Sequence, residues 1–231
     1  SAILSGGAAS FPAGTATLTI PVGIGTTPTF SSVTISGGTF APSGTFKVTG
    51  DWTKSSGSYT HGTATVVFSG DSNTQTIASD GASFYRLTVD GTGNTVELAD
   101  TLTVTNALTV TSGTLDANGS NITMSGGSTV LNNDKIKLIG SEVCTNFTPL
   151  PASTGDTEYY GDGEYASGLC GGNTYGNLSF TGGGIYTLAA SLLVRDSLTI
   201  TNGTLIASNN GYTITVYKNW TNSGTFTSGN S

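Results

Sequence analysis

Residues 31–40 read SSVTISGGTF, residues 106–115 read NALTVTSGTL and residues 196–205 read DSLTITNGTL. Each string holds two apolar residues spaced by two: Val33 and Ile35, Leu108 and Val110, Leu198 and Ile200. A turn ending in Gly38, Gly113 or Gly203 follows, and then Phe40, Leu115 or Leu205. The alternation places each apolar pair on one side of a strand, and the glycine permits a positive φ at the corner that follows.

The similarity extends outward from these strings. Upstream, Phe84-Tyr85-Arg86-Leu87-Thr88-Val89 aligns with Tyr175-Gly176-Asn177-Leu178-Ser179-Phe180. Downstream, Phe46 and Val48, Ile122 and Met124, and Ile214 and Val216 occupy equivalent places. A tryptophan motif comes next: Asp51-Trp52-Thr53-Lys54 with Gly57-Ser58-Tyr59-Thr60, against Asn219-Trp220-Thr221-Asn222 with Gly224-Thr225-Phe226-Thr227. The copies are therefore modules of about 90 residues, the first abbreviated, and within them apolar positions recur every 17 to 22 residues. Three short strands per such interval make one turn of a three-sided parallel β-solenoid, or β-helix. A β-sandwich or jelly-roll is the competing fold, because it also shows alternating strands and frequent turns. The reading divides the chain into a first solenoid segment (1–131, including an N-terminal strand), an insertion (132–174) and a second solenoid segment (175–231) with an open C-terminal end.

Composition agrees with an all-β chain. Gly, Thr and Ser account for 104 of the 231 residues, whereas Lys, Arg, Asp and Glu together number 21. Seven cations against fourteen anions leave no basic surface for nucleic acid. No apolar run is long enough for a membrane-spanning helix, so no membrane insertion is expected. The chain opens at Ser1 in strand-like sequence, which reads as a processed or excised product.

The insertion carries both cysteines, Cys144 and Cys170, and the expectation is a disulfide that pins a projecting loop in an oxidising compartment. Asp156, Glu158, Asp162 and Glu164 in this loop are weak Ca²⁺ candidates, although their spacing fits no Ca²⁺-binding repeat. With Tyr159, Tyr160 and Tyr165 they also suggest a carbohydrate-binding surface. No catalytic residue, cofactor site or enzyme activity is expected. The cations Lys47, Lys54, Arg86, Lys135, Lys137, Arg195 and Lys218 are dispersed, and the single histidine, His61, aligns with Ser228 and reads as an ordinary turn position.

The two ends of the chain are related. After the tryptophan motif the first module continues Thr65-Val66-Val67-Phe68-Ser69-Gly70, whereas the last stops at Ser228-Gly229-Asn230-Ser231. Ser1-Ala2-Ile3-Leu4-Ser5-Gly6 aligns in register with residues 65–70. The expected partner is thus a second copy of the chain in a head-to-tail homopolymer, with Ser1, Ala2, Ile3, Leu4, Trp220, Phe226, Asn230 and Ser231 at the junction. An uncapped solenoid with complementary ends propagates as a filament.

The strings from Thr63 to Gly127 and from Tyr217 to Ser231 resemble repeat modules of very large secreted or cell-surface bacterial proteins of the β-helical, adhesin-like kind. That resemblance covers most of the chain outside the insertion. It implies an extracellular or cell-surface location and a structural or adhesive role, and it supplies no catalytic residues. Two functions follow as expectations: a subunit of an extracellular filament or sheath, or a binding segment of a large surface adhesin that recognises glycan or protein through residues 144–170.

Overall fold

The computed structural model describes residues 7–12, 27–207 and 210–229, and the structural statements below concern those residues. The chain is all β, and its parallel strands stack into a solenoid of about ten turns. A sandwich or jelly-roll would pair its strands antiparallel.

One face can be followed along most of the molecule. Gln75, Val96, Leu115, Ile136, Thr157, Leu178, Leu198 and Trp220 form a column, each 19 to 22 residues beyond the one beneath it. A second face stacks Phe46, Val66, Leu87, Leu108 and Val130. A third stacks Phe84, Val104 and Met124. All of these side chains except Trp220 are buried. Thr and Ser alternate with them and face outward, where a β-branched side chain suits the strand and its hydroxyl stays solvated. At the corners of the second and third copies, Gly113 and Gly203 adopt the expected positive φ, +87° and +72°.

One buried polar side chain is fully paired. The Gln75 amide lies wholly inside. It donates to the Val48 and Gly50 carbonyls at 3.0 and 2.6 Å, and accepts from the Gly70 N–H and the Asn94 amide at 3.1 and 2.6 Å. Four partners on three successive turns make this one side chain a tie across those turns, added to the strand ladder.

The aligned modules do not all present the same face. The first and last are in phase: Val33 pairs with Trp52 as Leu198 pairs with Trp220, and Phe40 pairs with Tyr59 as Leu205 pairs with Phe226. The middle copy is rotated by one face, because Leu108 stacks between Leu87 and Val130 whereas Leu198 continues the column of Leu115. The alignment detects the repeated string. It carries no record of which face each string occupies.

The segment 132–174, expected as a projecting loop, carries the sheet through. Lys135–Leu138 pairs with Leu102–Asp116 on one side and with Asp156–Tyr159 on the other, and the latter pairs with Asn177–Phe180. Ile136, Leu138, Thr157 and Tyr159 point inward and are buried. The other two faces are interrupted here. Cys144–Thr145 pairs only backward, with Ile122 and Thr123, and Val130 meets Pro149 in a lone bridge. These faces resume as separate three- and four-stranded sheets that begin at Thr174–Tyr175 and Glu164–Tyr165.

Replacing Gln75 by Leu keeps the volume but leaves the Gly50 carbonyl, the Gly70 N–H and the Asn94 amide N–H without this partner, while the Val48 carbonyl keeps the Ser69 N–H. At about 1–3 kcal/mol per unsatisfied buried group, the Gln75→Leu variant loses at least about 2 kcal/mol in urea unfolding. Thr109→Ala, on the outer side of the second face, stays within about 0.5 kcal/mol of wild type. Equal stability of the two variants would contradict the corner-tie role.

Candidate functional site

The last described turn of the solenoid is built like the internal turn that carries Trp52, but no described strand lies over it. In the internal turn, Phe46 and Val48 are capped by Val66 and Phe68, and Trp52 by Ile77. Trp52 is fully buried, with ring centroids 4.8 Å from Tyr59, 5.1 Å from Phe84 and 6.1 Å from Phe40. In the last turn the equivalent strands Ile214–Val216, Trp220–Asn222 and Thr225–Thr227 each pair with one neighbour, toward the N-terminus. Trp220 is 41 % exposed and Tyr217 is 67 % exposed. Ile214, Val216 and Phe226 are only partly buried. Trp220 packs edge-on to Phe226 with 5.0 Å between centroids, so the two rings form one apolar step beside unpaired backbone.

Of the junction residues expected from sequence, Trp220 and Phe226 thus stand together on this turn. Ser1, Ala2, Ile3, Leu4, Asn230 and Ser231 lie outside the described residues. At the other end, Ala9–Phe11 pairs only with Val33–Phe40, and Ala9, Phe11 and Phe30 are buried. Phe11 stacks on Phe40 at 4.8 Å. Sequence reading missed Ile214 and Val216 as members of the open surface, although their alignment with the covered pair Phe46 and Val48 carried that signal.

The Cys144–Cys170 disulfide is formed, with its Cα atoms 5.4 Å apart. It spans the place where two faces are interrupted. Beneath it, the Tyr159 and Tyr175 hydroxyls both donate to the Cys170 carbonyl. Burial pushes both phenols above their usual range, so they remain protonated donors. Tyr159 stacks on Phe180 at 5.5 Å and so joins the loop to the core.

The four acidic candidates are not gathered into one site. Asp156 and Glu158 lie on the outer side of one strand, where Lys135 Nζ reaches Glu158 at 2.7 Å and Asp156 at 3.7 Å. Ser179 donates to Asp156 and Thr181 to Glu158, at 2.8 and 2.7 Å. Asp162 instead accepts from the Gly183 N–H at 2.7 Å, and Glu164 is exposed. Among the described residues no group of three or more His, Cys, Asp or Glu is arranged to hold a metal ion. Lys135, Asp156 and Glu158 line an open groove of about 430 Å³ together with Asn177, Ser179 and Thr181. His61 sits in a turn, stacked on Tyr85 at 5.9 Å.

The Lys135 cluster makes stability depend on pH. Burial raises the Glu158 pKa, but hydrogen bonds from Lys135 and Thr181 outweigh it and hold the carboxyl below its usual range. Its contribution is therefore complete above the unfolded value of about 4.3 and is lost as pH falls through the lower folded value. For Asp156 burial wins and raises the pKa, so its contribution has the opposite sign and fades as pH rises through the folded value. A melting-temperature series from neutral pH to pH 2.5 should fall less steeply below pH 4 in Glu158→Gln than in wild type. An unchanged acid slope would remove Glu158 from the account. Replacing both cysteines by alanine should cost about 2–4 kcal/mol, the usual contribution of a disulfide closing a loop of this size. Stability unchanged by that substitution would show that the ladder of Lys135–Leu138 and its neighbours holds the segment unaided.

No family model, no curated protein and no solved structure matches the chain.

Proposed function

We propose that the protein is a secreted structural subunit that assembles head to tail into an extracellular filament or sheath, the N-terminal strand of one copy completing the C-terminal end of the next. The observation that carries this reading is the contrast between two copies of one motif. Trp52 is fully covered by the turn that follows it, whereas Trp220 is 41 % exposed beside strands with a free edge. A solenoid turn cannot bury its own apolar face, and a free parallel edge is a template for another strand. Residues 1–6 repeat the pattern of residues 65–70, the segment that covers the internal turn.

The disulfide and the repeat resemblance support the same reading. A disulfide persists in oxidising compartments, and the resemblance to adhesin-like repeats favours the cell surface. The alternative, recognition of glycan or protein through residues 144–170, draws less support, since Asp156, Glu158 and Asp162 are already engaged within the chain.

Negative-stain electron microscopy of purified protein over a concentration series should show unbranched filaments. Deletion of residues 1–6, or Trp220→Asp, should reduce them to single particles while the circular dichroism of the folded chain is unchanged. Wild-type protein that stays monomeric at every concentration, or filaments indifferent to both changes, would overturn the proposal.

A further inference from the structure

On two of its three faces the solenoid is divided, and one covalent bond spans the division. In chain order Cys144–Thr145 follows the continuous-face strand Lys135–Leu138, as Glu164–Tyr165 follows Asp156–Tyr159 one turn later. Pro149 precedes Asp156–Tyr159, as Thr174–Tyr175 precedes Asn177–Phe180. These equivalent segments do not pair with each other. Cys144–Thr145 bonds back to Ile122 and Thr123, whereas Glu164–Tyr165 bonds forward to Ile185 and Tyr186, and Thr174–Tyr175 forward to Leu193 and Val194. Among the described residues no hydrogen bond joins residues 140–153 to residues 161–175.

The third face is different. Lys135–Leu138, Asp156–Tyr159 and Asn177–Phe180 pair in register, four residues at each step. The Asn177 amide donates to the Thr154 carbonyl at 2.8 Å, and the Tyr186 hydroxyl donates to the Ile139 carbonyl at 3.3 Å. Those two bonds mark the borders at which the polar ties end and the seam begins.

Each lip of the seam is anchored on its own side. On one, Asn121 accepts from the Val143 N–H at 2.8 Å, and the Asn146 amide donates to the Met124 carbonyl at 3.1 Å. On the other, the Tyr159 and Tyr175 hydroxyls hold the Cys170 carbonyl. Between the lips stand the Cys144–Cys170 bond and van der Waals contact, with Gly172 so near Thr148 that a Cβ there would meet its hydroxyl at 2.7 Å. A region with packing but no backbone ladder opens at lower free energy than its surroundings.

We propose that Cys144–Cys170 is a redox latch on a one-face hinge. Closed, it locks the two lips together; reduced, the seam parts on the second and third faces while the continuous face still joins the two solenoid segments. A single chain suffices for this latch, whether or not copies assemble. The reductant is a dithiol. Cys144 is half-buried whereas Cys170 is 9 % exposed, so a thiolate of the reductant attacks the Cys144 sulfur. The S–S bond breaks, and its electron pair leaves on the Cys170 sulfur. The second thiolate of the reductant then attacks its own sulfur in the mixed disulfide and releases Cys144. Two electrons and two protons pass to the cysteines, and the reductant is left as a disulfide. An oxidising compartment keeps the latch closed.

Hydrogen exchange read by mass spectrometry on the full chain tests the latch, with the protein oxidised, reduced by dithiothreitol, and reoxidised. Reduction should speed exchange at least tenfold in residues 140–153 and 161–173. Residues 135–138, 156–159 and 177–180 should keep their oxidised rates, and reoxidation should restore the seam. The Cys144→Ser/Cys170→Ser variant should show the reduced pattern without reductant; should it fail to fold, the reduced wild-type protein decides. Unchanged exchange at 140–153 after reduction would show that packing closes the seam unaided, and would overturn the latch. Faster exchange along the continuous face as well would show that the disulfide holds the whole fold, and would overturn the hinge.

Discussion

Every turn of this molecule depends on its neighbours for both halves of its stability. Its inward residues are covered only when another turn lies against them, and half of its strand N–H and C=O groups reach forward while the other half reach back. An apolar contact between successive turns and a directional hydrogen-bond ladder are thus one constraint. Where the ladder is continuous the constraint is met, so that Leu87, Leu108 and Val130 are sealed from solvent. It cannot be met at a terminal turn by that turn alone. The chemistry of the ends follows from the architecture of the middle.

The two tryptophan motifs make this concrete, because they are nearly the same structure in two surroundings. Both tryptophans stack on an aliphatic residue of the preceding turn, Val33 or Leu198, and both stand beside an aromatic partner, Tyr59 or Phe226. They differ in that a described strand, Thr74–Ala78, lies over Trp52 and no described strand lies over Trp220. The sequence of the chain is charge-poor over the strands of the last turn, with Lys218 as its cation, paired to Asp196 at 2.8 Å. Little repulsion therefore opposes the approach of another turn.

The solenoid was legible from the strings at 31–40, 106–115 and 196–205, since a strand of alternating apolar residues followed by a glycine corner has few other structural uses. The pairing of Cys144 with Cys170 was legible for a simpler reason, there being no other cysteines. The continuous face through residues 132–174 was not. Lys135 and Lys137, Asp156 and Glu158 alternate with inward residues there, and two of those inward positions are Thr157 and Tyr159 rather than aliphatics. The strand pattern is present, but its polar half is charged and its apolar half is unusual, so it reads as a loop. The rotation of the middle module escaped detection too, because similarity between strings carries no record of which face each string occupies. At the candidate site, Trp220 and Phe226 were found by comparison with Trp52 and Tyr59. Ile214 and Val216 were left out because an aliphatic pair looks like core until the missing cover is seen.

Helical reconstruction of the assembled protein by cryo-electron microscopy tests the central claim most directly. If subunits continue one another's solenoid, strands run perpendicular to the filament axis with an unbroken spacing of about 4.8 Å through each junction. The axial rise per subunit is then about 50 Å, the height of about ten turns. A rise well short of that, a gap in the strand spacing at the subunit boundary, or subunits packed side by side with Trp220 facing solvent would contradict the account.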